Sequence, residues 1–456
     1  MKRRDFLSSG MVAGIAAGAV PSAFAMENSK SEISREKLRL GFIGVGGRGR
    51  GLLRNALRLS GVQIYSICDI AEENLQNAQN LVKEAGQPVP KGYGKDKDSY
   101  KEMLEKEDLD GVVIGAPWKW QVPMAIAAMK AGVYAAHELG PASSVDECWE
   151  LVKTYEETGI PGMMLENYCY HKENMMVLNM IRQGLFGELI HCKCGYGHEL
   201  RERLVLGKGT GPNPMSDSTK PVKGEGDYRS VHNQFRNGDL YPTHGVGPIA
   251  QFLDIQRGNR FLYLTSTATK ARGLSKWSEE NLPADHPRRN IRWRQGDIVT
   301  TTISCYNGES IIMTFDTRLP RPRTDMYLVQ GTNGIWENDQ KSVYIEGRSP
   351  KKNKWEPLKN YVQEFEHPLW RNYLSSGESS KSGHGGTDYL ELRAFAESIR
   401  QGTNTPIDVY DTAAWRSIGP LSEASIAMGS HPVEFPDFTN GKWMTNKRIF
   451  GLTEKY

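Results

Sequence analysis

The chain has 456 residues, with 57 lysines and arginines against 54 aspartates and glutamates, for a net charge of +3. So even a balance gives no electrostatic reason to bind nucleic acid or an anionic membrane surface. A hydrophobic share of 38% fits a globular enzyme with more than one core, and argues against a disordered or fibrous chain.

The first segment reads as an export signal. Met1-Lys2-Arg3-Arg4-Asp5-Phe6-Leu7 sets paired arginines before an apolar stretch at 11–20, and Ala23-Phe24-Ala25 supplies a small-residue cleavage site. The stretch is too short and wrongly flanked for a membrane span. Residues 1–25 are therefore expected to be a signal peptide of the twin-arginine (Tat) type, and 26–36 a linker. The expected product is periplasmic, exported already folded, with about 430 residues left for domains.

From 37 to 167 short apolar runs alternate with helical periods. Strands are expected at 38–43, 63–68, 111–114, 132–136 and 162–165, with helices at 51–58, 72–84, 99–105, 123–131 and 145–158. Such alternation predicts right-handed crossovers and a doubly wound parallel α/β sheet, a Rossmann domain. The first strand runs into Gly44-Val45-Gly46-Gly47-Arg48-Gly49, and Asp69 ends the second. A strand, a G-x-G-x-x-G turn, a helix and an acid about 20 residues on form the dinucleotide fingerprint. Gly44 permits the tight turn, Gly46 lets backbone approach a pyrophosphate, and Gly49 lets helix and strand pack closely. The free N–H groups of the helix start then hold the anion. Asp69 at the ribose favours NAD over NADP, because a carboxylate repels a 2′-phosphate; Arg48 and Arg50 partly offset this. The third strand leads into Ala116-Pro117-Trp118-Lys119-Trp120-Gln121 on the carboxyl edge, where open α/β sheets bind ligands.

Residues 168–456 read as an α+β domain with a mostly antiparallel open sheet. A helix at 173–183 precedes a strand at 189–194, and a glycine- and proline-rich segment at 208–238 is long enough to be a functional loop. Runs at 297–306 and 309–315 flank Asn307-Gly308, a strong hairpin signal. Further strands are expected at 327–330 and 334–338, and helices at 388–400 and 412–427. The six cysteines have no zinc spacing. Cys192 and Cys194 share one face of a strand, and all six read as buried, reduced, small apolar residues. His191, His198, His232 and His244 match no familiar ligand rhythm, so no metal is expected. His244, in a Pro-Thr-His-Gly turn, suits acid–base work near neutrality. Tyr196, between glycines, is expected to expose its ring and hydroxyl at a strand end. His384, among glycines, is a further residue that could face the pocket.

A Rossmann domain followed by an open-sheet domain resembles the Gfo/Idh/MocA oxidoreductases. Their ordinary members carry Glu-Lys-Pro after the fifth strand, whereas this chain has His137-Glu138-Leu139-Gly140-Pro141 and lacks the lysine. Longer motifs resemble glycoside hydrolase family 109, the NAD-dependent α-N-acetylgalactosaminidases. They include Trp118-Lys119-Trp120, Leu165-Glu166-Asn167-Tyr168, Gly195-Tyr196-Gly197-His198, Tyr241-Pro242-Thr243-His244-Gly245 and Gly383-His384-Gly385-Gly386-Thr387-Asp388. The resemblance implies cofactor contacts at Gly47, Arg48 and Asp69 and a cofactor lining from Trp118, Lys119, Trp120, Gln121, Glu138, Leu139 and Asn167. It implies substrate contacts at Tyr196, Arg229, Tyr241, Pro242, Thr243 and His244, with Tyr196 and His244 catalytic. Arg323 stands where an aromatic sugar contact is expected, and Lys119 and Gln121 replace the acid and histidine of a Trp-Glu-Trp-His motif. The implied substrate is a glycan ending in an N-acetylhexosamine, probed first as an α-N-acetylgalactosaminide. The implied route is transient C3 oxidation by bound NAD, elimination, water addition and re-reduction. A homodimer through the open sheet is the implied assembly. A periplasmic NAD-dependent sugar dehydrogenase and a non-catalytic sugar sensor are the alternative readings.

Overall fold

The computed structural model describes residues 37–207, 225–376 and 383–452, so the readings for 1–36 lie outside the described residues. The first sheet consists of β1 (Leu38–Ile43), β2 (Val62–Cys68), β3 (Lys91–Tyr93), β4 (Gly111–Ile114), β5 (Tyr134–His137) and β6 (Gly162–Met164). All its pairings are parallel, in the order β3-β2-β1-β4-β5-β6, which is the Rossmann arrangement. The strand β3 is absent from the sequence reading because Lys91-Gly92-Tyr93 has no apolar run. At a sheet edge one inward ring, Tyr93, is enough to seat it.

Two helices begin earlier than their periodicity suggests. The helix Gly47–Ala56 starts inside the glycine turn rather than at 51. Gly44 has φ +78°, and a Cβ on Gly49 would lie 1.9 Å from the Gly44 carbonyl oxygen. Strand and helix approach through these two positions because neither carries a side chain. The helix Trp118–Lys130 encloses Pro123 rather than starting there. The missing N–H costs one backbone bond, and the carbonyl left over belongs to the exposed Lys119.

The second sheet runs β14-β13-β12-β11-β7-β10-β9-β8-β15. Its strands are β7 (Leu189–Gly197), β8 (Phe261–Ala268), β9 (Ile298–Cys305), β10 (Ser310–Asp316), β11 (Leu328–Gly331), β12 (Gly334–Glu337), β13 (Ser342–Ile345), β14 (Glu356–Pro357) and β15 (Val433–Glu434). It is antiparallel except where β7 meets β10. The β9–β10 hairpin turns at Asn307-Gly308 as expected, with φ +99° at Gly308. Strand β8 escaped the sequence reading because a polar residue, the buried Ser266, stands on its inward face and breaks the apolar alternation. The 208–238 segment is not one loop: Glu225–Phe235 is helical, and 208–224 lies outside the described residues.

Two late helices tie the halves together. Thr387–Gln401 packs on the first sheet so tightly that a Cβ on Gly111 would lie 2.6 Å from Ile399 Cδ1. Val409–Ala427 reaches both sheets. Its Ser425 hydroxyl accepts from the Ser266 N–H of β8 at 2.8 Å, while Arg416, with no exposure, donates to Gln121 Oε1 at 2.8 Å and to the Pro141 carbonyl at 3.2 Å. All six cysteines are buried and free, with Cys192 and Cys194 both turned inward from β7.

The glycine packing makes a direct prediction. Gly49→Ala is expected to cost roughly 2–4 kcal/mol or to block folding, because the clash is with backbone. Gly51→Ala, whose Cβ would meet nothing within 4 Å, is expected to gain roughly 0.5–1 kcal/mol by helix propensity. Denaturant melts of the two variants check both, and an unperturbed Gly49→Ala protein would refute the close approach.

Candidate active site

The glycine turn is assembled by its neighbours. The Asp69 carboxylate accepts from the Val45 N–H and the Ala71 N–H, each at 2.8 Å, and so pins the turn to the end of β2. The helix start it presents is bare. Gly46 caps it without a side-chain bond, no acid sits in the first turn, and a Cβ on Gly47 would touch nothing within 4 Å. That surface fits the pyrophosphate of a dinucleotide, with free N–H groups and the helix dipole turned toward an anion.

The side chain of Arg48 is held by carboxylates. Its Nε donates to Glu138 Oε1 at 2.6 Å, its Nη1 to Asp388 Oδ2 at 2.6 Å, and Glu391 lies 3.5 Å away. At the pyrophosphate it is therefore the Arg48 backbone that is available. Asn167 joins the cluster by donating to Asp388 at 3.1 Å. Burial pushes the Glu138 and Glu391 carboxyls above their ordinary range, and Glu391 furthest, with Asp388 adding to the shift.

The walls of the groove come from Trp118 and Leu139, both nearly fully buried. Gln121 braces them from behind: its Nε2 donates to the Ala116 and Leu139 carbonyls at 3.0 and 3.1 Å, and its Oε1 is taken by Arg416. Lys119 is exposed, its ammonium 5.7 Å from the Trp120 ring. Neither of these two side chains lines the groove in the way the motif suggested.

Facing this wall is a box of rings from the second domain. The helix Thr243–Phe252 carries His244 in its first turn, so the expected turn is a helix start, with Pro242 as cap and Thr243 buried. His244 Nδ1 is 2.7 Å from Glu166 Oε1, and its ring stacks on Tyr168 at 3.7 Å and 9°. A carboxylate partner assigns the proton to Nδ1 and leaves Nε2 as the basic nitrogen. A Cβ on Gly247 would lie 2.8 Å from Glu166 Cγ, which shows how closely this helix sits on the end of β6.

Tyr196 lies at the end of β7, as expected, but it is 7% exposed instead of open. It packs 4.7 Å from Tyr241 and 5.4 Å from His244, and its hydroxyl is 3.0 Å from His198 Nδ1. Burial, followed by the Arg203 and Arg229 charges, lowers the His198 pKa and keeps its ring neutral. Arg229 lies over Tyr241 and Trp118 at 4.6 and 5.1 Å, closing the box. Below it, the Asp239 carboxyl holds the Tyr241 N–H at 3.2 Å and is pushed up to about 7 by burial.

Thus Trp118, Tyr196, Arg229, Tyr241 and His244 converge, drawn from both domains. Glu166, Tyr168 and His198 belong with them, although composition singled out none of them. A usable signal existed in Leu165-Glu166-Asn167, an acid where a buried strand should end apolar. The His384 side chain lies outside the described residues, and Arg323 sits at the rim, 5.5 Å from the Tyr168 ring. Four buried polar atoms next to His244 lack hydrogen-bond partners: Glu166 Oε2, Asn167 Oδ1, the Tyr168 hydroxyl and Thr243 Oγ1. Native interiors rarely tolerate so many without a ligand or water to meet them.

Comparison with known proteins matches both halves of the chain. The model of the oxidoreductase family's NAD-binding Rossmann fold matches residues 38–165, and that of the glycosyl hydrolase 109 C-terminal domain matches residues 170–445. A glycosyl hydrolase family 109 protein of Stenotrophomonas maltophilia is 42% identical over 463 residues, spanning 100% of this chain and 99% of its own. An α-N-acetylgalactosaminidase of Tannerella forsythia is 41% identical over 475 residues, spanning 99% of each chain. Among solved structures, a levoglucosan dehydrogenase in complex with NADH shares the fold, with a TM-score of 0.61 at 18% identity over 88% of this chain and 99% of that one. With its NAD-binding fold, its ring-lined pocket and its end-to-end similarity to these relatives, the chain belongs to glycosyl hydrolase family 109.

Proposed function

We propose that the protein hydrolyses terminal α-N-acetylgalactosaminides, with NAD retained at the glycine turn. The observation that carries this reading is the Glu166-held His244 beside Tyr196, facing the carboxyl edge of the NAD-binding sheet. Bound NAD supplies a reversible hydride acceptor for the sugar's C3, which acidifies the neighbouring C2 proton and lets the C1 substituent leave. The chain must therefore move protons at two adjacent positions of one sugar ring. His244 provides one site. With Nδ1–H given to Glu166, its Nε2 accepts a proton, and the buried carboxylate steadies the resulting imidazolium. Tyr196 provides the other, its hydroxyl oriented by the neutral His198, whose Nδ1 lies 3.0 Å away. Ring centroids 5.4 Å apart suit two sites on one sugar.

An ordinary glycosidase relies on two carboxylates flanking the bond. Here Glu166 is committed to His244, and the pocket floor is aromatic and imidazole. Leu139, where ordinary oxidoreductases of this fold carry a lysine, is buried and moves no proton; this supports the glycosidase over the dehydrogenase. We also propose that residues 1–25 direct Tat export, which would carry the folded, NAD-loaded enzyme to the periplasm.

Purified, undialysed protein is expected to carry nucleotide and to release nitrophenol from a nitrophenyl α-N-acetylgalactosaminide without added NAD or lasting NADH absorbance. Dependence on added NAD with accumulating NADH would replace this reading with the dehydrogenase. Glu166→Gln is expected to lower kcat roughly 10²–10³-fold, by analogy with other carboxylate–histidine pairs, with bound nucleotide retained. A variant with wild-type kcat would remove Glu166 from the chemistry.

A further inference from the structure

Three cations near the pocket lie against aromatic rings. Arg323 lies 5.5 Å from the Tyr168 centroid, Arg229 over Tyr241 and Trp118, and Lys119 5.7 Å from Trp120. Aromatic faces hold a cation without cancelling its charge. Burial lowers His232 to about 4 with help from Arg236, Lys119 and Arg229, and the His198 shift has a similar origin.

Arg323 differs from Arg229 in being exposed. Among the described residues no carboxylate comes within ion-pairing distance of it, although its neighbour Arg321 pairs with Asp316 at 2.8 Å. Asp325, two positions along, forms no ion pair with it: burial raises the Asp325 carboxyl, with the His244 and Arg323 charges pulling the other way, and its Oδ1 is buried without a hydrogen-bond partner. Asp339 is occupied by the Thr324 hydroxyl. Arg323 is therefore a rim cation with no ion-pair partner among the described residues, one ring beyond His244 through the Tyr168 stack.

Depth separates what each residue can meet. The buried rings of Tyr196, Tyr241 and His244 enclose the terminal sugar, so an exposed rim residue meets the sugar to which it is linked. We propose that Arg323 is a specificity-determining residue that selects glycosides whose second, leaving sugar carries a negative charge, as a carboxylate or a sulfate ester. This rests on the glycosidase reading above. A guanidinium is the side chain suited to either group, since its planar fork binds paired oxyanion oxygens.

The test uses three disaccharides in which α-N-acetylgalactosamine is linked to galactose, to galacturonic acid or to galactose 6-sulfate, with kcat/KM read from released sugar. Wild-type protein is expected to favour at least one charged substrate about tenfold at low salt, through KM, with the preference shrinking as salt screens it. Whichever charged substrate is favoured identifies the source of the anion. Arg323→Gln should bring the ratio of charged to neutral substrate close to one, and Arg323→Lys should restore part of it. Equal kcat/KM for all three substrates in the wild type would overturn the proposal. An equal loss on all three in Arg323→Gln would also do so, making Arg323 a packing partner of Tyr168. If no disaccharide is cleaved, the glycosidase reading fails on its own. Calorimetric binding of the same three saccharides to wild type and Arg323→Gln then decides the role of Arg323 by the same ratio.

Discussion

The hydrogen bond from His244 to Glu166 is the constraint on which the pocket depends. It spans the two domains, joining the end of β6 to the first turn of the helix Thr243–Phe252. Glu166 has no exposure. A buried carboxylate that loses its partner costs about 3–5 kcal/mol, so the registration of the domains and the orientation of the imidazole are a single problem. The supporting contacts point the same way: Tyr168 stacks on the imidazole, the Tyr327 hydroxyl donates to the His244 carbonyl, and Gly247 has no Cβ to push the helix off Glu166. Sheet, helix and ring box are thereby fixed around one nitrogen, Nε2.

A second set of charges shapes the cofactor side. Arg48, Glu138, Asp388 and Glu391 place three acids around one cation at the helix start. Burial pushes Glu391, and less strongly Glu138, toward the neutral form, while Arg48 and Asn167 both donate to Asp388. The partners come from opposite ends of the chain. The helix Thr387–Gln401 thus acts as part of the Rossmann wall, and Arg416 of the next helix clamps Gln121 and Pro141 on the same wall. The two halves are interleaved, which explains how residues of both can face one pocket.

How much of this was legible beforehand follows the range of the forces involved. The glycine turn, β1, β2 and β4 to β6, and the β9–β10 hairpin were readable, because steric limits on φ and the period of apolar residues act over a few positions. The short edge strand β3 and β8, with Ser266 on its inward face, were not, since pairing rather than pattern holds them. Gln121 and Lys119 were assigned to the groove by motif, yet one faces Arg416 and the other solvent. Tyr196 was expected to be open because glycines flank it. It is buried because Tyr241 and His244 arrive from another element.

The sequence alone determined that this chain would build a dinucleotide-binding sheet with a bare helix start, and that His244 and Tyr196 were the groups to watch. Only the tertiary structure decided what those groups touch. Glu166 and His244 lie 78 positions apart, and Arg48 and Asp388 lie 340 apart. No local preference encodes contacts of that separation. They form because burying a carboxylate or an imidazole is costly until a partner from elsewhere in the fold shares its proton or its charge.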